Sequence, residues 1–371
     1  MQSVNRLVEA ALAAAGRFWR WSQRHGRVGA VVRTLRRRWM EAIAVVSLLA
    51  LVVAVNPTEL LHVYERLQWR LALLMVPVTL GTYLARALAW WTTLRRIGVR
   101  ISILRSVAVE LAGQVMILVP TGDLARVALI EDTGASGRGA GQLTGTIAFQ
   151  ELLFTSILGL GVLPHLFARP TVALIVLAMT AVNAVMFTVL IWEPAYRWAV
   201  RTVERVRVLR RFDTQLKEIR PAFLQLLTWR TLLPVVLLDA VAAGLSFLLF
   251  DLALHALGVT SVSFVSATFV LALSHLISGA SFVPGGVGAF EGVLTVLMIA
   301  NGIPPASGAA AGLLYRGYND VLMAVLGAGV GVLLRRYSSG GRGEQRDLHR
   351  WSSRDRAPDS DDEEARTTRV S

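Results

Sequence analysis

The apolar positions of this chain fall into long continuous runs, separated by short polar stretches rich in Arg, Gly or Pro. Runs long enough to cross a hydrocarbon core, repeated along one chain, read as a polytopic membrane protein. Glu41–Val55, Trp69–Trp91, Gln142–Leu163, Thr171–Trp192, Thr231–Leu257 and Gly308–Leu334 each predict a spanning helix. Two further stretches do not fit a plain span. Ser274–Pro305, preceded by apolar Val262–Leu273, carries Gly279, Gly285, Gly286, Gly288 and Gly292. Pro284 removes a backbone donor in its middle, with His275 before the break and Glu291 after it. Ile101–Ile130 is interrupted by Pro120 and Gly122 and punctuated by Glu110, Asp123 and Arg126. Broken backbone at membrane depth is tolerated only where protein or a water-filled cavity surrounds it. Both stretches therefore predict re-entrant segments.

The two breaks share a pattern. Val119-Pro120-Thr121-Gly122 matches Val283-Pro284-Gly285-Gly286, an offset of 284 − 120 = 164. The same offset carries Trp69–Trp91 into the Thr231–Leu257 run and Gln142–Leu163 into the last one. With three spans in each half, an odd number, the second half is inverted relative to the first. The expected fold is all-α and polytopic, about six transmembrane helices plus two re-entrant broken segments in an inverted repeat. The halves cover about 41–163 and 171–335. A basic interfacial segment, 1–40, precedes them and a polar tail, 336–371, reads as disordered.

Charge distribution sets orientation. Nine Arg lie within residues 1–40 and nine Lys/Arg within 197–230, both beside apolar runs. Such clusters place a chain segment inside and touch anionic headgroups, so the +13 net charge points to a membrane surface and not to nucleic acid. Both termini are expected in the cytoplasm of a cell membrane protein. The basic 193–230 segment is expected on the cytoplasmic side, with the part that carries Tyr196, Val200, Val203 and Val206 at helical spacing on the membrane surface, and Arg86 near the inner end of its helix, where it snorkels to the interface. The chain has no Cys, which excludes thiol chemistry and thiolate metal sites. Its one lysine, Lys217, lies in Gln-Leu-Lys-Glu, so no P-loop is present. No cofactor or metal is expected, since His-x-x-x-His and His-Glu-x-x-His spacings are absent.

VPGGVGAFEG at 283–292, followed by YRGYNDVLMAVLG at 315–327, resembles the hallmark of the bacterial and archaeal flippase-like family. This is the family of the lysylphosphatidylglycerol synthase transmembrane region. VPTGDLAR at 119–126 resembles its Pro-x-x-Gly-acid-x-x-Arg motif, and FQELLFT at 149–155 its acid-bearing helix. The resemblance covers roughly residues 41–335. Asp123 stands where the family usually has Glu, and Gln150 precedes Glu151 where an Arg often follows the acid. Members fused to a soluble aminoacyltransferase domain make and translocate aminoacylated phospholipids. With only a short tail after the last run, the resemblance implies translocation without synthesis, and no enzyme activity.

A charge near the bilayer centre costs roughly 2.5–3.5 kcal/mol even on insertion scales, so such residues need a reason. Glu151 and Arg316 lie deep in their runs, and the 164 offset maps Glu151 to Tyr315, next to Arg316. The candidate binding set is Pro120, Asp123, Arg126, Glu151, Pro284, Gly285, Gly286, Glu291, Arg316 and Asp320. Arg126 and Arg316 can grip a phosphate bidentately. The helix after Pro284 can add its N-terminal amides. Glu291, Glu151 and Asp123 would pair the arginines, attract a cationic headgroup or exchange protons, and Arg316 with Asp320 forms an i,i+4 pair. The same charges also fit an ion-pair network that only holds the bundle together. Asp239 and Asp251 read as structural or interfacial partners. His275 with Ser274, Ser278 and Ser281 lacks a supporting acid for hydrolysis.

The expected function is a lipid translocase for an anionic phospholipid or a polyprenyl phosphate-linked headgroup. Two alternatives stay open: a lipid-presenting partner of a separate envelope glycosyl- or aminoacyltransferase, and an ion-coupled small-solute transporter.

Overall fold

The computed structural model describes residues 57–116, 125–131, 139–166, 170–205, 213–280 and 286–333. The expected span Glu41–Val55, the basic segment 1–40 and the tail 336–371 lie outside them. Among the described residues every regular element is helical. The first half comprises α1 (Pro57–Glu65), α2 (Trp69–Arg96), α3 (Ile103–Gly113), α4 (Ala125–Glu131) and α5 (Ala140–Leu160). Three helices follow: α6 (Pro170–Ile191), α7 (Glu193–Arg205) and α8 (Asp213–Leu226). The second half runs α9 (Trp229–Ala256), α10 (Phe264–Ala280), α11 (Ala289–Ala300) and α12 (Pro305–Arg316). A π-helical turn, Gly317–Leu322, carries α12 onward into helical residues 323–333.

Three of these helices, α2, α5 and α9, are long and apolar enough to cross a membrane, counted among the described residues. The 22-residue α6 holds no charged residue. Large apolar side chains such as Leu73, Leu74, Leu84, Leu237 and Val241 point outward and stay exposed. An apolar exterior of that extent is made for lipid.

The framework is a pair of equal helices. α2 and α9 each have 28 residues, about 42 Å at 1.5 Å per residue. They pack along one another antiparallel. The Gln68 N–H at the start of α2 donates to the Ala256 carbonyl at the end of α9 (2.8 Å). At the other end Gln225 Nε2 donates to the Arg96 carbonyl (3.3 Å). Each helix starts with an exposed Trp, Trp69 or Trp229, a residue that favours the membrane interface. Both stop in the same way. Gly98 and Gly258 take φ of 90° and 76°, a left-handed conformation that a Cβ disfavours. That lets the Val99 N–H reach the Leu94 carbonyl and the Val259 N–H the Leu254 carbonyl, 3.0 and 2.9 Å. This is the Schellman stop, and it satisfies carbonyls the helix end leaves over.

The correspondence continues beyond this pair. Each framework helix leads into a two-helix hairpin, α3–α4 or α10–α11, and then into a long helix, α5 or α12 with its continuation. The helix preceding each framework helix packs on the third helix of the opposite half: α1 on α12, and α8 on α5. A single offset of 164 does not describe this. Helix starts differ by 160 (229 − 69), 161 (264 − 103), 164 (289 − 125) and 165 (305 − 140). The shift grows because the second hairpin is longer, α10 having 17 residues against 11 in α3.

α1 is held against the second half: Tyr64 Oη donates from it to the Ala310 carbonyl of α12 (2.9 Å). Within the basic 193–230 segment, α8 faces the core. α8 buries Phe223 and Leu226, and Phe223 meets Phe149 and Phe187 edge-on at 5.3 and 5.8 Å. Arg220 ties this region down by donating to the Leu190 and Ile191 carbonyls at the end of α6 and by pairing with Glu193. Finally, α2 runs on through Arg95 and Arg96, whose charges suit its C-terminal dipole. Arg86 is therefore not near the helix end.

Candidate functional site: two charge clusters at one level

The first cluster joins four elements of the first half. Arg86 comes from α2, Glu110 from α3, Arg126 from α4 and Glu151 from α5. Arg126 Nη1 meets Glu110 Oε2 at 2.5 Å, and its Nη2 meets Glu151 Oε1 at 3.2 Å. Arg86 Nη2 meets the same Glu151 oxygen at 2.5 Å and lies 3.9 Å from Glu110 through Nε. Gln114 Nε2 donates to Glu110 Oε1 (3.4 Å), and Gln150 Nε2 to the Arg86 carbonyl (2.8 Å). Arg126 lies over the Trp90 ring, 5.3 Å from its centroid, and Arg86 over Phe154 at 4.4 Å. Trp90 is itself fixed by an Nε1 bond to Thr146 Oγ1 (3.0 Å). Gly113 is required here. A Cβ at that position would sit 2.6 Å from Arg126 Cγ, so the small residue opens the path for the arginine stem.

Accessibility divides this cluster. The Arg126 and Glu110 side chains are 0% exposed, whereas Arg86 retains 12% and Glu151 31%. Glu151 is the open edge.

The second cluster belongs to α10, α11, α12 and the π turn. Arg316 Nε lies 3.2 Å from Glu291 Oε1 and 3.5 Å from Asp320 Oδ2. Its guanidinium lies over the Phe290 ring, 4.9 Å from the centroid. Phe290 stacks with Tyr315, whose Oη is 3.1 Å from His275 Nε2. Asn319 Nδ2 donates to Asp320 Oδ1 (2.7 Å). The π turn widens the helix locally and exposes the Asn319 carbonyl to a donor from the other half, Tyr83 Oη of α2 (2.9 Å). Arg316 and Asp320 are 13% and 16% exposed and Glu291 2%.

The other oxygen of Glu291 accepts from the Gly288 N–H at 2.7 Å. Gly288, with φ 83°, ends the break and lets α11 begin. The amide expected to receive a ligand anion is thus occupied by the chain's own carboxylate, a capping interaction. Gly286 also has positive φ, 61°, and a Cβ there would collide with Ser278 Oγ.

The structure brings Glu291, Arg316 and Asp320 together, with Gly286 beside them. It brings Arg126 and Glu151 together as well, with Glu110 and Arg86 as their partners. Pro120, Asp123, Pro284 and Gly285 lie outside the described residues. His275 meets a tyrosine, while Ser274 and Ser278 donate to the carbonyls of Val270 and Gly286. Glu110, Arg86, Gln150 and Tyr83 are absent from the sequence-derived set. Arg86 could have been found by counting from Arg96, the last residue of α2. Ten residues, about 15 Å, separate them, too far for snorkelling.

Start-to-start alignment of the third helices places Glu151 opposite Arg316 itself. Each lies eleven residues into its helix, 151 − 140 and 316 − 305, about 17 Å along it.

Residues 39–327 match the family described as the lysylphosphatidylglycerol synthase TM region. No curated protein matches the chain. The chain belongs to that family and is a multi-pass membrane protein.

Proposed function

We propose that this protein is a lipid translocase of the cytoplasmic membrane. It moves a phospholipid or polyprenyl-linked headgroup between leaflets along the seam between its two halves. One observation carries the reading: two partly accessible ion-pair clusters, one built on Glu151 and the other on Arg316, lie about 17 Å along corresponding helices, near the middle of a roughly 30 Å core. Pure scaffolding would favour sealing such charges completely, because each exposed one costs roughly 2.5–3.5 kcal/mol at that depth.

The hairpins support a path. The longest hairpin helix, α10, has 17 residues, about 26 Å, and α3 has 11, about 17 Å. Neither reaches across with ease, so we read both hairpins as re-entrant, from opposite faces because α2 and α9 are antiparallel. Paired interrupted segments at matching places in two halves mark the central site of many transporters. Positive residues at the end of α2 put that end inside. With the expected first span and α6 this gives about six spans and cytoplasmic termini.

The chemistry is exchange of partners. A headgroup phosphate takes Arg316 or Arg86 in the bidentate manner of guanidinium, and displaces Asp320 or Glu151. Those carboxylates then accept donors from the headgroup. Each charge leaves one partner for another, so none crosses the core unpaired. No bond to the protein forms or breaks, and the protein acts without a catalytic residue or cofactor.

Reconstitution tests this. Vesicles containing the protein should move a labelled headgroup inward faster than protein-free vesicles, and Arg316→Ala should slow them. Equal rates with and without protein would refute it. Solute uptake indifferent to lipid identity would favour an ion-coupled small-solute transporter. A second reading rests on α7, whose Arg201 and Arg205 are exposed. They suit anionic headgroups, or docking of a separate envelope transferase to which this protein presents lipid. Neutralising both should then abolish envelope modification while leaving translocation intact.

A further inference from the structure

One buried acid plays no part in the ion pairs described. Asp239 is ten residues past the start of α9, and Arg86 is ten residues before the end of α2. Those two helix ends are neighbours, so both residues sit about 15 Å from the same side. Asp239 is 0% exposed, and neither carboxylate oxygen has a hydrogen-bond partner among the described residues. From α2 it feels Arg86, from α5 Glu151 and the Gln150 side chain, and from α3 Glu110. Arg126 of α4 lies beyond, held between Glu110 and Glu151. α10 and α12 also pack on α9 and bring His275, Tyr315 and Arg316 to the second cluster.

Two features of this surrounding point to one ligand. First, charge is already balanced: two arginines face two glutamates, and an ionised Asp239 would add an uncompensated negative charge in a dry interior. Second, acceptors outnumber donors. Gln150 spends its Nε2 on the Arg86 carbonyl, and its Oε1, also buried, has no donor. The Gln150 side chain lies beside Asp239 and keeps an acceptor oxygen to spare. A proton on Asp239 supplies the missing donor and removes the extra charge in one step.

Resting on the translocase reading, we propose that Asp239 is a proton-binding site whose proton is exchanged during headgroup movement. In the arrangement described Asp239 is a neutral acid donating to Gln150. When the phosphate is held by Arg316 and a headgroup donor binds Glu151, Arg86 is set free and pairs with Asp239. The Asp239 O–H bond breaks, its electron pair stays on the carboxylate, and the proton passes to water. Return of Arg86 to Glu151 restores the acid. Headgroup movement is thereby coupled to a proton gradient.

Two measurements test this on the full chain. In infrared difference spectra of the purified protein at neutral pH, wild type minus Asp239→Asn, a protonated-carboxyl band is expected; its absence overturns the proton site. In vesicles with an imposed pH gradient, the steady-state ratio of a labelled headgroup between the leaflets should change roughly tenfold per pH unit for one coupled proton in wild type. In Asp239→Asn, which can neither release a proton nor pair with Arg86, that ratio should ignore the gradient whatever rate remains. An unchanged gradient response in Asp239→Asn overturns the exchange, and so does a gradient-insensitive wild type. If wild type moves no headgroup at all, the translocase reading and the exchange fall together, while the infrared band decides the proton site by itself. Asp239→Leu, apolar and of similar size, guards against misfolding: it should reproduce the loss of both the band and the gradient response.

Discussion

In the first half, Arg126 and Glu110 are sealed from solvent, and a single acid, Glu151, forms the open edge. In the second half the one arginine, Arg316, is about as accessible as Arg86 of the first, and Asp320 lies beside it on a π turn. Both halves use the same helix order and hold charge at the same step of the third helix, yet they distribute it differently. The first places two arginines against two glutamates; the second places one arginine against two acids and adds the His275–Tyr315 pair. A sealed pair such as Arg126–Glu110 resists change, because every partner lost leaves a buried charge behind. An open one with spare acid on a deformable turn can trade partners. On the proposed function, Arg126, Glu110 and Glu291 would hold the site in place, and Arg316, Asp320, Arg86 and Glu151 would meet the headgroup.

The assignment can be broken in a graded series. Arg126→Ala strands Glu110 in the interior and should cost about 3–5 kcal/mol of stability, read from thermal unfolding in detergent. Arg316→Ala should cost clearly less, because Glu291 keeps its cap on Gly288 and Asp320 its bond to Asn319; equal losses would erase the distinction between the halves. Gly113→Ala forces the Arg126 stem aside and should cost about 1–3 kcal/mol, as overpacking does. Tyr83→Phe removes the hydrogen bond from α2 to the Asn319 carbonyl of the π turn and should cost about 1 kcal/mol. It should also alter translocation more than Thr79→Val, the change of a hydroxyl that bonds only its own helix. Glu291→Gln, which keeps an acceptor for the Gly288 N–H, should show the smallest loss of stability, on the order of 0.5 kcal/mol.

Much of the architecture was legible in the sequence because lipid imposes long apolar runs, and because Gly and Pro announce each break. Gly98 and Gly258 could also have been paired as helix stops, and they would have exposed the 160 offset that the V-P-x-G match at 164 concealed. The site was legible where charge stands alone in an apolar run, as with Glu151, Arg316 and Glu291. It was illegible where geometry decides. Arg86 lies on a helix whose last turn the apolar run does not include, and Glu110 looks like an interruption until α4 folds back and delivers Arg126. The role of Glu291 as a cap depends on where α11 begins, which motif spacing alone leaves open.

The most direct test compares headgroup translocation by Arg316→Ala and Glu151→Gln with wild type, in vesicles holding equal amounts of folded protein. The account predicts that both variants lose most of the protein-dependent rate while unfolding close to the wild-type temperature. Wild-type rates in both folded variants would contradict it, and would leave the two clusters as ion pairs that hold the bundle together.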